Sequence, residues 1–124
     1  MHKSRLSNII IDCQTDDIDA AAGFWAAAIG RVVKPDAGPS DPYRRLEGPP
    51  SEMKILVQAV QHQSRFHLDI KTDDVEAEAT RLERLGAKRV EKIKTWWVME
   101  APTGQRFCVV RPQRADFDEN ANVW

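Results

Sequence analysis

An internal repeat constrains this chain more than any other feature. "TDDIDAAA" begins at Thr15 and "TDDVEAEA" at Thr72, 57 residues apart in a chain of 124. A repeat close to half the length implies two related units built on one plan. The match extends upstream, where "IIIDCQTDD" (residues 9–17) aligns with "FHLDIKTDD" (residues 66–74) and pairs Asp12 with Asp69 and Ile10 with His67. Downstream, each copy reaches a glycine, Gly30 or Gly86, and then a β-branched run, with the spacing slipped by one residue.

Each copy reads as one strand, one helix and three strands. The isoleucine-rich start suits a half-buried strand. Asp16 and Asp73 are the expected helix caps, and Glu76 completes a capping-box spacing with Asp73. The helices are expected over residues 18–29 and 75–85, the second burying Val75, Ala79, Leu82 and Leu85 at helical spacing. Gly30 and Gly86 fall where left-handed C-terminal caps belong. Strands are expected over residues 31–34, 43–47 and 54–61, and again over 89–94, 95–100 and 106–111. Turn-rich segments such as "PDAGPSDP" and "APTGQ" separate them.

The fold class is therefore α+β: two β-α-β-β-β modules, residues 5–61 and 65–112, forming a cupped mixed sheet with the helices outside. Residues 1–112 make a single domain, and residues 113–124 read as a polar tail, extended or poorly ordered, with Trp124 a candidate to dock on the body or on a partner. At 42% hydrophobic, 30% charged and a formal net charge of −1, the composition is that of a globular protein without the basic surface of a nucleic-acid binder. No apolar run approaches the roughly 20 residues that span a bilayer, and "MHKSRLSN" lacks the apolar core of a signal peptide. Cys13 and Cys108 are too few for a disulfide framework, so a cytoplasmic setting is expected.

Strand alternation sorts the side chains. Ile9, Ile11 and Cys13, like Phe66, Leu68 and Ile70, are expected under the helices. Ile10, Asp12 and Gln14, like His67, Asp69 and Lys71, point to the other face, where polar groups imply a wet or ligand-holding cleft. His67 fits a general base or a small-ligand contact, because a neutral imidazole both donates and accepts. Asp12 and Asp69 read either as paired carboxylates for acid–base work or as architectural groups; their repetition favours architecture. Phe24, Trp25 and Phe107 read as core. Of the adjacent Trp96 and Trp97, one faces the helices and the other is placed to stack on a ligand. Arg44, Arg45 and Arg106 are candidate anion contacts or solvated surface groups.

Three stretches in order, "IIIDCQTDDIDAAAGFW", "FHLDIKTDDVEAEATRLERLGAKRV" and "WWVMEAPTGQRFCVV", make the chain resemble the vicinal oxygen chelate superfamily of glyoxalases, bleomycin-resistance proteins and extradiol dioxygenases, and within it the glyoxalase-like domains. The likeness covers about residues 5–112. It implies metal ligands on the first and fourth strands of each module. Carried over by position, these fall on Ile10 and Gln58 in the first module and on His67 and Cys108 in the second. His67 and Cys108 are the metal candidates so implied; Gln58 is a weak neutral donor and Ile10 is none. The cofactor is left open: a divalent metal with an incomplete ligand set, to which Asp12 or Asp69 could add a carboxylate.

The resemblance implies a small-molecule ligand or substrate and a homodimer; the near-neutral charge and the lack of a long apolar run lead us to expect no nucleic-acid or membrane partner. One reading is an enzyme of lyase or isomerase type, or one related to the dioxygenases. In it His67 and Asp69 are catalytic, and Asp12, Gln58, Trp96, Trp97 and Cys108 contact the ligand. The alternative is metal-free sequestration of a small molecule, as by the bleomycin-resistance proteins. A third is a structural or regulatory module without chemistry.

Overall fold

Isoleucine-rich β1 (Lys3–Gln14) opens the chain, and its branched side chains suit a pleated, partly buried surface. The computed structural model describes residues 1–112 and 117–124. These divide into two compact units, Asn8–His67 and Met1–Ser7 with Leu68–Trp124. The fold is α+β, and each unit carries a helix of three turns on its own mixed set of strands.

In the first unit, β1 from Asn8 onward leads to α1 (Ile18–Ile29), β2 (Val32–Val33), β3 (Tyr43–Glu47) and β4 (Lys54–Val60). The strands lie in the order β2-β3-β4-β1. β1 and β4 are parallel, in register from Asn8↔Lys54 to Gln14↔Val60, and the other neighbours are antiparallel. Two alanines, Ala22 and Ala26, let α1 lie close on Ile11, Leu46 and Val57, with Cys13, Trp25 and Ile55 at the margin. Gly30 closes the helix at φ 73°, where a side chain would strain the backbone. Trp25 packs at the core margin as expected, but Phe24 does not: it is 65% exposed on the far side of α1. Phe66 is 61% exposed and meets Trp25 of α1 in an edge contact, ring centroids 5.8 Å apart.

In the second unit, β5 (Arg65–Thr72), counted from Leu68, leads to α2 (Val75–Arg84), β6 (Lys88–Ile93), β7 (Trp96–Glu100) and β8 (Arg106–Val110). Their order, β5-β8-β7-β6, repeats the plan of the first unit, with the first strand parallel to the fourth. Ala79 and Leu82 pack on Met99 and Val109, flanked by Ile70, Val75, Trp97 and Phe107. Leu85 ends outside this stripe and is exposed, because the helix stops at Arg84. Leu68 is also exposed rather than packed under a helix.

The helix starts differ from expectation by one residue in both units. Asp17 and Asp74 are the caps, accepting from the amides of Ala20 and Ala77. The reason lies one step upstream. The hydroxyls of Thr15 and Thr72 accept from the amides of Asp17 and Asp74, which fixes those aspartates at the cap position. Asp73 instead accepts from the amide of Lys3, and no Asp73–Glu76 capping box forms; the Glu76 carboxylate takes Arg89, Lys92 and the Trp97 indole.

From Phe117 on, the tail carries a short helix and then an extended segment, and Trp124 docks on the body; residues 113–116 lie outside the described residues. A short α3 (Phe117–Asn120) precedes β9 (Asn122–Val123), which pairs antiparallel with Lys3 and Ser4. The Trp124 indole donates to Ser4 Oγ at 2.7 Å, and the Arg81 guanidinium lies 3.7 Å from its ring centroid. One hydrogen bond and one partly exposed cation–π contact make Trp124→Ala cost about 1–2 kcal/mol. Urea titration checks this through a lowered midpoint with an unchanged slope; no shift would mean that the tail contributes nothing to stability. Among the described residues no helix is long and apolar enough to cross a membrane.

Candidate functional site

Strand alternation builds the site. Ile11 and Cys13 face α1, so Ile10 and Asp12, which alternate with them, face the other way. There Asp12 is only 2% exposed, and its register partner across β4 is Gln58. His67, the last residue of the first unit, reaches the same carboxylate, with Nδ1 2.7 Å from Asp12 Oδ2. Its side chain is 11% exposed. Arg65, two residues earlier on β5, lies with Nε 3.7 Å from that oxygen and keeps much of its guanidinium in solvent.

The pair has a definite chemistry. An ionised carboxylate only accepts, so with Asp12 ionised the short contact has Nδ1 as its donor. Asp12 Oδ1 is buried and has no hydrogen-bond partner among the described residues. An acceptor sealed from water without a partner costs about 1–3 kcal/mol, a strain retained where function has a use for it. A basic imidazole, oriented by a carboxylate and flanked by a cation, can bind a small polar molecule or move a proton on it.

The other expected residues lie in the second unit, Gln58 excepted. Asp69 and Cys108 are register partners on β5 and β8, as Asp12 and Gln58 are on β1 and β4. The repeat therefore sets its two equivalent aspartates against different side chains, an amide in one unit and a half-buried free thiol in the other. Trp97 is the helix-side member of the tryptophan pair: its indole donates to Glu76 Oε1 at 2.9 Å and its ring packs at the margin of the core. By alternation Trp96 points the other way, and of the two it alone stays in the ligand-contact set. Arg44 and Arg106 are bonded to carboxylates, and Arg45 stays largely in solvent near one. Buried Arg44 bonds Asp19 at 2.8 Å and two backbone carbonyls, Arg106 bonds Glu100 at 3.3 Å, and Arg45 reaches Asp36 at 4.0 Å. Sequence reasoning missed Arg65. The signal was present, since Arg65 and His67 share one face of their strand.

A family model for the glyoxalase-like domain matches residues 8–110. The chain belongs to the glyoxalase-like domain family. Its place is within the vicinal oxygen chelate superfamily. The comparison with curated proteins finds no match. Among solved structures, a hypothetical protein from Bacillus halodurans C-125 is similar at TM-score 0.61 and 11% identity, over 90% of this chain and 96% of that one. At that identity the likeness bears on the fold alone. A glyoxalase I mutant from Zea mays is matched at TM-score 0.31 and 16% identity, over 85% of this chain and 45% of that one.

Glyoxalase-like relatives that use a metal raise the question of whether these residues suit one. The four positions carried over from the family hold Ile10, Gln58, His67 and Cys108. Ile10 is a fully buried hydrocarbon. Gln58 offers a neutral amide. The two remaining donors fall short of the roughly three protein ligands of a catalytic zinc, and neither is the carboxylate that a harder ion prefers. These four positions alone do not complete such a centre.

Proposed function

We propose that this glyoxalase-like protein binds a small organic molecule at His67 and moves a proton on it, as a lyase or isomerase does. One observation carries the reading: the His67 imidazole is held at 2.7 Å by a buried carboxylate. That arrangement orients the ring, which a general base requires. Asp69, Trp96 and Cys108 are further candidates for contact with the molecule.

The test uses wild type, His67→Ala and His67→Gln against a panel of small hydroxyketones, dicarbonyls and phenols. Compounds that bind the native state raise its melting temperature, and their C–H positions are then followed by NMR in heavy water. Exchange of a ligand C–H for deuterium, lost by a factor of about 100 or more in His67→Ala, is the expected result. Binding that survives both substitutions sinks the reading.

A second reading, sequestration without turnover, is favoured by the ill-fitting donors at Ile10 and Gln58. It requires binding that depends on His67 with no exchange in the wild type. Elemental analysis of the same preparations belongs beside these measurements, since stoichiometric metal lost in His67→Ala would restore a metal-dependent route.

A further inference from the structure

We infer that Arg65 is the anion anchor of the His67 site, and that the molecule bound there is a small carboxylate: a 2-oxo or 2-hydroxy acid, or an aromatic acid with a neighbouring hydroxyl. This deepens the reading of His67 as the ligand contact and rests on it. The strand places the residue. Phe66 turns its ring to Trp25 of α1, so Arg65 and His67 on either side of it turn to the opposite face. Asp12 lies there. Both side chains converge on one of its oxygens, His67 Nδ1 at 2.7 Å and Arg65 Nε at 3.7 Å, so their heads stand side by side.

Arg65 differs from the other covered arginines of the first unit in what it bonds. Arg31 donates to the Leu46 and Met53 carbonyls and to Glu52, and Arg44 donates to Asp19 and two backbone carbonyls. Those donors hold the fold together. The Arg65 guanidinium makes no hydrogen bond among the described residues, and its ion pair with Asp12 is too long to be one. Nor is it an ordinary solvated surface group, because its side chain is 42% exposed and the larger part is covered. Arg45 stands on β3, with β4 between it and β1, and is 57% exposed beside Asp36.

The chemistry of the guanidinium then selects the ligand. It carries five N–H donors in a fixed fork and no acceptor, and it grips the two oxygens of a carboxylate with parallel bonds. Nε makes the closest approach to Asp12, so the two terminal nitrogens form the edge for a second anion. Asp12 is 2% exposed while the arginine reaches solvent, so an incoming anion meets the guanidinium before it meets the Asp12 charge. An amide or ester oxygen takes an N–H but brings no charge, and it should bind less well. Because the two heads are adjacent, the carboxylate must lie close to the group that His67 contacts, which is the pattern of the acids named above.

The test measures dissociation constants by calorimetry for two pairs of equal shape, pyruvate against pyruvamide and salicylate against salicylamide. Wild type should bind the carboxylate of a pair about 10-fold more tightly than the amide, the worth of one charge-assisted hydrogen bond. Arg65→Gln and Arg65→Met should both erase that ratio. The ratio is taken within each protein, so a general loss of stability cancels, and whichever variant folds decides. A wild type that binds both members alike, or binds neither carboxylate, overturns the anchor. So does a preference that survives the loss of Arg65. Deuterium exchange on the same probes separates this inference from the proposed proton transfer. An Arg65-dependent preference without exchange that needs His67 upholds the anchor and counts against the transfer. Exchange that needs His67, with carboxylates bound no better than amides, overturns the anchor and leaves the transfer standing.

Discussion

Glu78→Gln is expected to lower stability by about 3 kcal/mol and the melting temperature by on the order of 10 °C. Glu78 is fully buried on α2, where a carboxylate is tolerated only with partners. It has them: Arg81 donates twice, at 2.7 and 2.9 Å, and His2 Nε2 lies at 2.8 Å. Removing the charge leaves the Arg81 guanidinium without its buried counter-ion and weakens the His2 contact, and breaking such a pair from one side costs about 3–5 kcal/mol in a closed interior. The lower end applies because Arg81 keeps some access to water, its side chain being 22% exposed.

The same group sets an acid limb. Burial pushes the Glu78 carboxyl up, but hydrogen bonds from Arg81, His2 and Ser4 outweigh it and hold the group below its ordinary value of 4.5. A folded pKa below the unfolded one stabilises the protein fully above the ordinary carboxylate range. As pH falls through the folded value, that contribution is lost. Glu76 works in the same sense, drawn down to about 2 by Lys92, Arg89 and Trp97. Being exposed, its contribution is screened by salt. Chemical denaturation between pH 7 and pH 3 in high salt should therefore show a fall in stability for wild type and a flatter curve for Glu78→Gln. Equal slopes in the two proteins would show that Glu78 is not the group responsible.

Glu78 also shows how far the sequence could be read. Val75, Ala79 and Leu82 mark an apolar stripe, and Glu78 sits on it at the i+3 position from Val75. Periodicity assigns the stripe correctly, but it cannot foresee that a charged residue within it will be buried. The partners that make burial tolerable include His2, 76 residues away in sequence. The repeat, by contrast, was legible throughout. Strand, helix and three strands recur in both units, because alternation, capping and glycine stops are local signals that survive without knowledge of the tertiary structure. Where local reasoning slipped, the cause was also local: Thr15 and Thr72 moved each cap one residue on.

The candidate site divides along the same line. Alternation put Asp12 and His67 on one face of their strands, and it could have added Arg65. What it could not supply was which carboxylate His67 would meet. Asp69 stands two residues from His67 in sequence, whereas Asp12 stands 55 away and is the one at 2.7 Å. Side chains at i and i+2 share a face but are separated by the rise of two residues, close to 7 Å. The Asp12 contact joins two strands, and strand neighbours are set by the register of the folded sheet.

The second unit has a comparable dependence on one apolar side chain. Met99→Ala is expected to cost about 3 kcal/mol, within the roughly 2–5 kcal/mol range of methionine truncations in packed cores. Met99 is fully buried on β7, between Ala79 and Leu82 of α2 and Val109 of β8. Its register partners are Arg89 and Phe107, which fix the backbone on both sides. The helix residue nearest in kind, Ala79, is too short to move into the space, and two paired neighbouring strands resist collapse, so most of the cavity should remain. Met99→Leu separates the causes. It conserves volume and apolarity and should cost under about 1.5 kcal/mol. Urea midpoints for the two variants, measured with the slope unchanged, give the comparison. An alanine variant within 1 kcal/mol of the leucine variant would mean that the unit closes around the gap, and that Met99 fills space which its neighbours are free to take.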